Sequence, residues 1–149
     1  MTLATVGSTG DSEQMQSPTR ALENLSREEA LRLLATAPMA RAVFVTGALP
    51  TVVPLTVAVH DDAVVFRTSS STRLARLGVG GVITIEADDV DPVTRTGWSV
   101  LVSGILEQIV DLGEQAVVHG LVEPWAPGDH DVYLRVPATA VSGRQVRAD

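Results

Sequence analysis

The feature that most restricts the fold is a succession of short, Val-rich segments in which polar and apolar residues alternate. They are separated by turns rich in Gly, Pro and Asp. A period of two is typical of half-buried β-strands with short connections. The predicted strands are 41–46, 51–59, 63–68, 82–86, 98–110, 132–136 and 140–146. The sequence therefore predicts a mainly β fold, an antiparallel barrel with a few covering helices.

Three details of this pattern affect the expected topology. The first three strands are predicted to form a meander, because only short turns separate them. Pro54 lies inside the second of these strands, which places that part of the chain at a sheet edge or a bulge. The acidic segment 88–92 is predicted to be a loop before the long strand that begins at Trp98.

Helix signals precede and follow this strand-rich region. Ser26 and Glu29 form a capping box for a helix that ends before Pro38. A short helix is expected at 72–77, and Asp111 is expected to cap another that runs to about Leu121. Residues 1–24 are rich in polar and small residues and are predicted to be a disordered N-terminal tail. Residues 25–149 are predicted to be one domain.

Composition excludes several function classes. The net charge of -7 argues against a nucleic-acid surface, since phosphate backbones require basic patches. The chain has no Cys, and its three His show no ligand spacing, so no metal site is predicted. No apolar run approaches the roughly 20 residues of a membrane span, and no signal peptide is evident. The expected location is cytoplasmic.

The strongest candidate site is the hydroxyl-rich segment between Arg67 and Arg73. Five hydroxyl residues lie between these two arginines, at a predicted strand–loop–helix junction. Arg67 can donate two parallel hydrogen bonds to a phosphate, and a helix that begins at Arg73 favours an anion at its N-terminus. The hydroxyl donors are Thr68, Ser69, Ser70, Ser71 and Thr72. The alternative interpretation is a solvated polar loop with two surface arginines.

Trp98 and Ser99 form a second candidate. An indole beside a small hydroxyl residue can pack on a planar ring and hydrogen-bond one edge of it. The alternative is that Trp98 covers the barrel core. No side chain is identified as a general acid, a general base or a nucleophile, so the catalytic residues stay unassigned.

Over residues 26–146 the chain resembles the pyridoxamine 5′-phosphate oxidase-like, FMN-binding split-barrel proteins, in their small actinobacterial type. No single motif carries the resemblance, which depends on the order and spacing of several. The matching segments are 33–38, 41–44, 53–57, 64–68, 71–74, 86–91, 97–104, 124–129 and 141–144. The chain departs from the family where it has Ser71-Thr72-Arg73 in place of Gly-Thr-Lys, and Thr56 in place of Asn.

The resemblance implies a Greek-key-like split β-barrel that forms a homodimer, with two FMN sites at the subunit interface. It implies that Arg67, Thr68, Thr72 and Arg73 hold the phosphate, with Ser71 in the same motif. The backbone of Pro54, Leu55 and Thr56 would line the flavin ring. Trp98 and Ser99 would approach the ring or its ribityl chain.

Three functions are compatible with this resemblance. The first is an FMN-dependent oxidoreductase that acts on a small or planar organic substrate. The second keeps the fold but uses deazaflavin F420 or handles haem, because the 67–73 segment selects a phosphate and not a ring. The third is a flavin-binding module without turnover, which the lack of an identifiable catalytic side chain favours.

Overall fold

The computed structural model describes residues 20–77 and 79–148, which form ten strands and three helices. The strands are β1 (Arg20–Asn24), β2 (Ala40–Thr46), β3 (Leu49–Leu55), β4 (Ala58–His60), β5 (Ala63–Thr68), β6 (Val82–Asp91), β7 (Thr96–Ile105), β8 (Glu107–Gln108), β9 (Val132–Pro137) and β10 (Ala140–Ala148). The helices are α1 (Arg27–Leu34), α2 (Arg73–Leu77) and α3 (Leu112–Leu121).

The strands form two antiparallel sheets that share one core. The larger sheet has the order β1-β10-β7-β6-β2-β3, and the smaller has the order β4-β5-β9-β8. The chain passes between the sheets at several points, so the barrel is split along its length. This architecture confirms the predicted mainly β, antiparallel split barrel.

The core is filled by the inward-facing residues of alternate strand positions. Phe66 and Leu134 from the smaller sheet meet Ile85, Val100 and Val102 from the larger one, and all five are buried. Gly104 lies where β7 approaches the end of β9, and a Cβ there would overlap the carbonyl oxygen of Pro137. The two sheets can therefore come this close only because position 104 has no side chain.

Helix α1 closes one side of the barrel. The Ser26 side chain accepts a hydrogen bond from the Glu29 N–H at 3.2 Å, which confirms the predicted cap. Ala30 and Leu34 are buried, and Ala30 packs near Gly143 of β10. None of the helices that the structure describes is long and apolar enough to cross a membrane.

The predicted N-terminal tail is wrong at its end. Arg20–Asn24 forms β1, which pairs with β10 along its whole length. All five side chains are exposed, so the strand is held by its backbone pairing and shows no apolar alternation. Residues 1–19 lie outside the described part of the chain.

Several strand boundaries also differ from the sequence prediction. The predicted strand 51–59 is two strands, β3 and β4, because the chain crosses from one sheet to the other at Thr56 and Val57. The first three predicted strands therefore do not form one meander. Strand β3 is an edge strand, as Pro54 indicated. The predicted long strand 98–110 ends at Ile105, and the short β8 follows in the other sheet.

The acidic segment predicted as a loop is the end of β6. Asp88, Asp89 and Asp91 pair across the hairpin with β7. The turn itself lies at 92–95, where Arg95 adopts a φ of 58°. The Asp91 carboxylate accepts hydrogen bonds from the N–H groups of Val93 and Thr94, which lower its pKa. The turn therefore uses one aspartate as a local cap, and the strand hydrogen bonds override the polar sequence.

Candidate functional site

A cleft of about 710 Å³ lies between the edge strand β3, the segment that joins β5 to α2, and the loop that joins α3 to β9. It brings together eight of the ten predicted site residues. These are Pro54, Leu55, Thr56, Arg67, Thr68, Ser71, Thr72 and Arg73. Residues 51–56 and 67–73 are separated along the chain by β4 and most of β5. The crossing between the sheets at Thr56 and Val57 brings both segments to one cavity.

One wall of the cleft is the segment 68–72, which we call the hydroxyl arm. The Oγ1 atoms of Thr68 and Thr72 are 3.0 Å apart, and so are the Oγ atoms of Ser69 and Ser71. Thr72 donates to the Ser69 carbonyl at 2.9 Å and accepts from the Ala75 N–H at 3.2 Å, so it caps α2. The arm is therefore held in shape by its own hydroxyls.

Arg67 lines the cleft but is used differently from the sequence prediction. Its Nε donates to the His130 carbonyl at 3.0 Å, and its Nη1 donates to the Val122 carbonyl at 3.3 Å. The guanidinium carbon lies 5.3 Å from the centre of the Tyr133 ring. The Nε–H and one Nη1–H are thereby used, so a parallel pair of phosphate bonds through Nε and Nη2 would have to displace the His130 carbonyl. Only the other N–H groups can reach a ligand.

Arg73 has the opposite environment. It is exposed at the first position of α2 and lines the cleft beside the hydroxyl arm. Among the residues that the structure describes, its guanidinium has no ion-pair partner. All of its donors are therefore available to an anion.

The third wall is the loop 123–130, which we call the aromatic loop because it carries Trp125. The Thr56 hydroxyl donates to the Glu123 carbonyl at 3.3 Å, and His130 Nδ1 lies 2.9 Å from the Gly128 carbonyl. Arg67 fixes the carbonyls on both sides of the loop. The sequence analysis used 124–129 as a segment that matches the family but assigned no site residue to it, and Trp125 between two prolines was the signal that it missed.

Trp98 and Ser99 are not in this cleft. They lie on β7 and line separate, smaller cavities beside the β6–β7 hairpin, together with Val90 and Val146. Trp98 is half-buried and packs against the main core, which favours the predicted alternative of a core cover. Ser99 faces the other way, on the outer surface of the larger sheet, because its neighbour Val100 is buried.

That outer surface is unusually apolar at one end. Val45, Val52 and Val82 are 69%, 57% and 69% exposed, and Val43 pairs directly with Val52. The other end is charged, with Arg41 2.8 Å from Glu86 and 3.8 Å from Asp88. Partial burial, and next the hydrogen bond with Asp88, raise the pKa of Glu86, and Arg41 offsets part of this effect. Pro54, at the edge of the cleft, belongs to the same surface.

Comparison with known proteins identifies related sequences. The family model for pyridoxamine 5′-phosphate oxidase matches residues 26–145. The uncharacterized protein Rv0080 of Mycobacterium tuberculosis is 35% identical over 135 residues, which is 87% of this chain and 89% of that protein.

Two solved structures have the same fold. An FAD-binding protein from Mycobacterium smegmatis superposes with a TM-score of 0.68 and 28% identity, over 85% of this chain and 100% of that chain. A Corynebacterium glutamicum protein, provisionally named a pyridoxamine 5′-phosphate oxidase, gives a TM-score of 0.74 and 26% identity over 91% and 98% of the two chains. Because the family model spans most of the sequence, and because the fold agrees, this chain belongs to the pyridoxamine 5′-phosphate oxidase family.

Proposed function

We propose that this protein is an FMN-binding oxidoreductase that works as a homodimer and acts on a small or planar organic substrate. The observation that carries the proposal is the cleft itself, where an anion-binding end and an apolar slot are continuous. A flavin mononucleotide needs both features, since its phosphate requires convergent donors and its ring requires an apolar wall. The 28% identical relative that binds FAD supports a flavin as the ligand class.

The phosphate would be held mainly by Arg73. Its guanidinium is exposed to the cleft, and the hydroxyl arm beside it is held by hydrogen bonds among its own side chains. Ser71 and Thr68 can turn their hydroxyls toward an anion, whereas the Thr72 hydroxyl already serves the α2 cap. Arg67 adds positive charge and its Nη2 donors. The site therefore combines one exposed cation with a set of smaller hydroxyl donors.

The ring would lie along β3. Because β3 is an edge strand among residues 20–77 and 79–148, no strand in this part of the chain pairs with the N–H and C=O groups on one side of its backbone. Thr51, Val53 and Leu55 line the cleft on this side. Free peptide groups can pair with the polar edge of a flavin, and the Val and Leu side chains cover its apolar part. A bound flavin supplies hydride or electron transfer, and the chain binds it, orients it and excludes water.

A second copy of the chain would pack against the outer surface of the larger sheet. Val45, Val52 and Val82 are exposed beside the half-buried Val43, and a group of exposed apolar side chains is a feature of interaction surfaces. Pro54 and Ser99 lie on this same surface, so a partner seated there would bring its own Ser99 toward the edge of the cleft. Trp98 faces inward, so its proposed role is to support β7 beneath Ser99.

The dimer is tested by light scattering on size-exclusion fractions. Val52→Asp should convert the dimer to a monomer, because it places a charge in the apolar area. Val93→Asp is the matched control, since Val93 is 88% exposed in the β6–β7 turn and lies off this surface. A wild-type protein that elutes as a monomer at micromolar concentration rejects the dimer proposal.

The cofactor is tested by the visible spectrum of the purified protein and by mass spectrometry of the released ligand. FMN in the extract, with tight rebinding by titration, supports the proposal. A deazaflavin F420 or a haem in the extract from a host that makes both would replace FMN with one of these alternatives. A colourless protein that does not bind added FMN sinks the flavin proposal.

A second candidate function is a flavin-binding module without turnover, a sensor or a store. One observation favours it. Apart from the arginines, the ionisable side chains that line the cleft are Asp129 and His130, and His130 already contacts the Gly128 carbonyl. Neither is held toward the ring slot by a second residue. Steady reduction of the bound flavin by NAD(P)H or reduced F420, followed by transfer to an acceptor, would exclude this candidate.

A further inference from the structure

Trp125 is a large apolar side chain that stands in solvent at the mouth of the cleft. It is 70% exposed, and Pro124, Ala126 and Pro127 line the cleft beside it. A single exposed indole needs no explanation, but a cluster of apolar residues on the wall of a cavity is a feature of binding sites.

The loop that carries this indole is fixed at both ends. Arg67 holds the carbonyl groups of Val122 and His130, which lie on either side of the loop. The Thr56 hydroxyl holds the Glu123 carbonyl, two residues before Trp125. Such a short loop with joined ends is a compact Ω-type loop whose ends are fixed by the rest of the protein. The indole therefore lies on a loop whose two ends are fixed by hydrogen bonds.

The position of the aromatic loop determines which part of a ligand the indole can contact. The bond from Thr56 places the start of the loop beside the end of β3, where Val53 and Leu55 form the apolar wall. The hydroxyl arm and Arg73 form a different part of the same cleft. Trp125 thus completes a slot between two apolar walls, and such a slot fits a flat aromatic ring.

We infer that Trp125 packs against the isoalloxazine ring of the bound flavin as the outer wall of the ring slot. This inference rests on the proposed function and adds a ring-binding residue from a loop that the family motif in 67–73 does not include. The indole would contribute to affinity for the ring and not to affinity for the phosphate. It also covers the ring from water on the side that β3 leaves open.

The test measures dissociation constants for FMN and for riboflavin, which has the same ring and lacks the phosphate. Trp125→Ala should weaken both ligands by a similar factor of about ten, the scale of aromatic stacking on a planar ring. Trp125→Phe should lose only about two- to threefold, since a smaller aromatic face remains. Arg73→Ala should weaken the binding of FMN and leave the binding of riboflavin unchanged. Comparison of the two ligands therefore distinguishes the phosphate end of the cleft from the ring end.

Leu112→Ala is the control for loss of an exposed apolar side chain, because Leu112 is 79% exposed at the start of α3 and does not line the cleft. Thermal melts of each ligand-free variant check the fold. If wild-type protein binds both ligands and Trp125→Ala binds them equally well, the inference is wrong and the proposed function stands. If Trp125→Ala weakens FMN alone, the indole acts at the phosphate end and the inference is also wrong. A wild-type protein that binds neither ligand overturns the proposed function, and this inference with it.

Discussion

The hydroxyl arm and the aromatic loop, which form two walls of the cleft, are stabilised in opposite ways. The hydroxyl arm is stabilised from within, by hydrogen bonds among its own threonines and serines. The aromatic loop has few internal bonds and is held from outside, by Arg67 at both ends and by Thr56 near its start. The first is therefore a local structure that a short sequence can specify. The second exists only because distant strands bring its anchors together.

This difference changes the role of the two arginines that bracket the hydroxyl arm. In the sequence they look equivalent, since both are cations beside a run of hydroxyl residues. In the structure Arg67 is partly buried and bonded to backbone carbonyls, whereas Arg73 is exposed to the cleft. Arg67 is thus mainly a positioning residue, and Arg73 is the principal candidate for contact with the phosphate.

The largest expected effect is that of Arg67→Ala. The substitution removes two charge-assisted hydrogen bonds and the contact with the Tyr133 ring. We expect the free energy of unfolding to fall by about 3 kcal/mol in urea denaturation of the ligand-free protein. Arg67→Lys keeps the charge but lacks the planar group that reaches both carbonyls, so most of the loss should persist. A lysine variant as stable as wild type would contradict the role of Arg67 in holding both ends of the aromatic loop.

The next effect in size is that of Arg73→Ala on FMN binding. Loss of this guanidinium should weaken FMN by about 2 kcal/mol, roughly 30-fold, in a fluorescence titration. Stability should stay near that of wild type, because the side chain is exposed. Arg76→Ala is the matched control, since Arg76 belongs to the same helix but does not line the cleft. Equal losses in the two variants would show that only general charge matters.

A smaller effect is expected for Thr72→Val within the hydroxyl arm. The hydroxyl caps α2 through the Ala75 N–H and bonds to Thr68 and to the Ser69 carbonyl. Its loss should lower the free energy of unfolding by about 1 kcal/mol, the usual cost of a missing N-cap. Ser70→Ala, at an exposed position in the same arm, should change stability little. If the two variants are equally stable, the arm is not organised by Thr72.

The smallest expected effect is that of Thr56→Val on the aromatic loop. One neutral hydrogen bond of 3.3 Å to the Glu123 carbonyl is lost, which predicts about 0.5 kcal/mol in stability. The clearer readout is faster amide hydrogen exchange confined to the aromatic loop. Thr51→Val serves as the control, because its hydroxyl contacts only the Leu49 carbonyl of its own strand, at 3.5 Å. Identical exchange in both variants would show that the Thr56 hydroxyl does not hold the aromatic loop in place.

Much of the fold could be predicted because the signals are local. The alternation in β2, β5, β9 and β10 fixed strand positions to within one or two residues, and the largest of these differences is that β10 runs on to Ala148. Strand β1 was missed for the opposite reason, since its five side chains are exposed and only backbone pairing with β10 defines it. The acidic end of β6 was missed because cross-hairpin hydrogen bonds with β7 outweigh the low strand propensity of Asp.

The sequence by itself determined most of the strand positions, the caps at Ser26 and Asp111, and the hydroxyl arm, because each depends on residues that are neighbours along the chain. Only the tertiary structure decided which residues share the cleft. The crossing between sheets at Thr56 and Val57 brings β3 and the hydroxyl arm to one cavity. Packing in the folded chain brings Arg67 to the Val122 and His130 carbonyls and Trp98 to the core. These outcomes depend on contacts between residues up to 67 positions apart, such as Thr56 with Glu123, which no local pattern encodes.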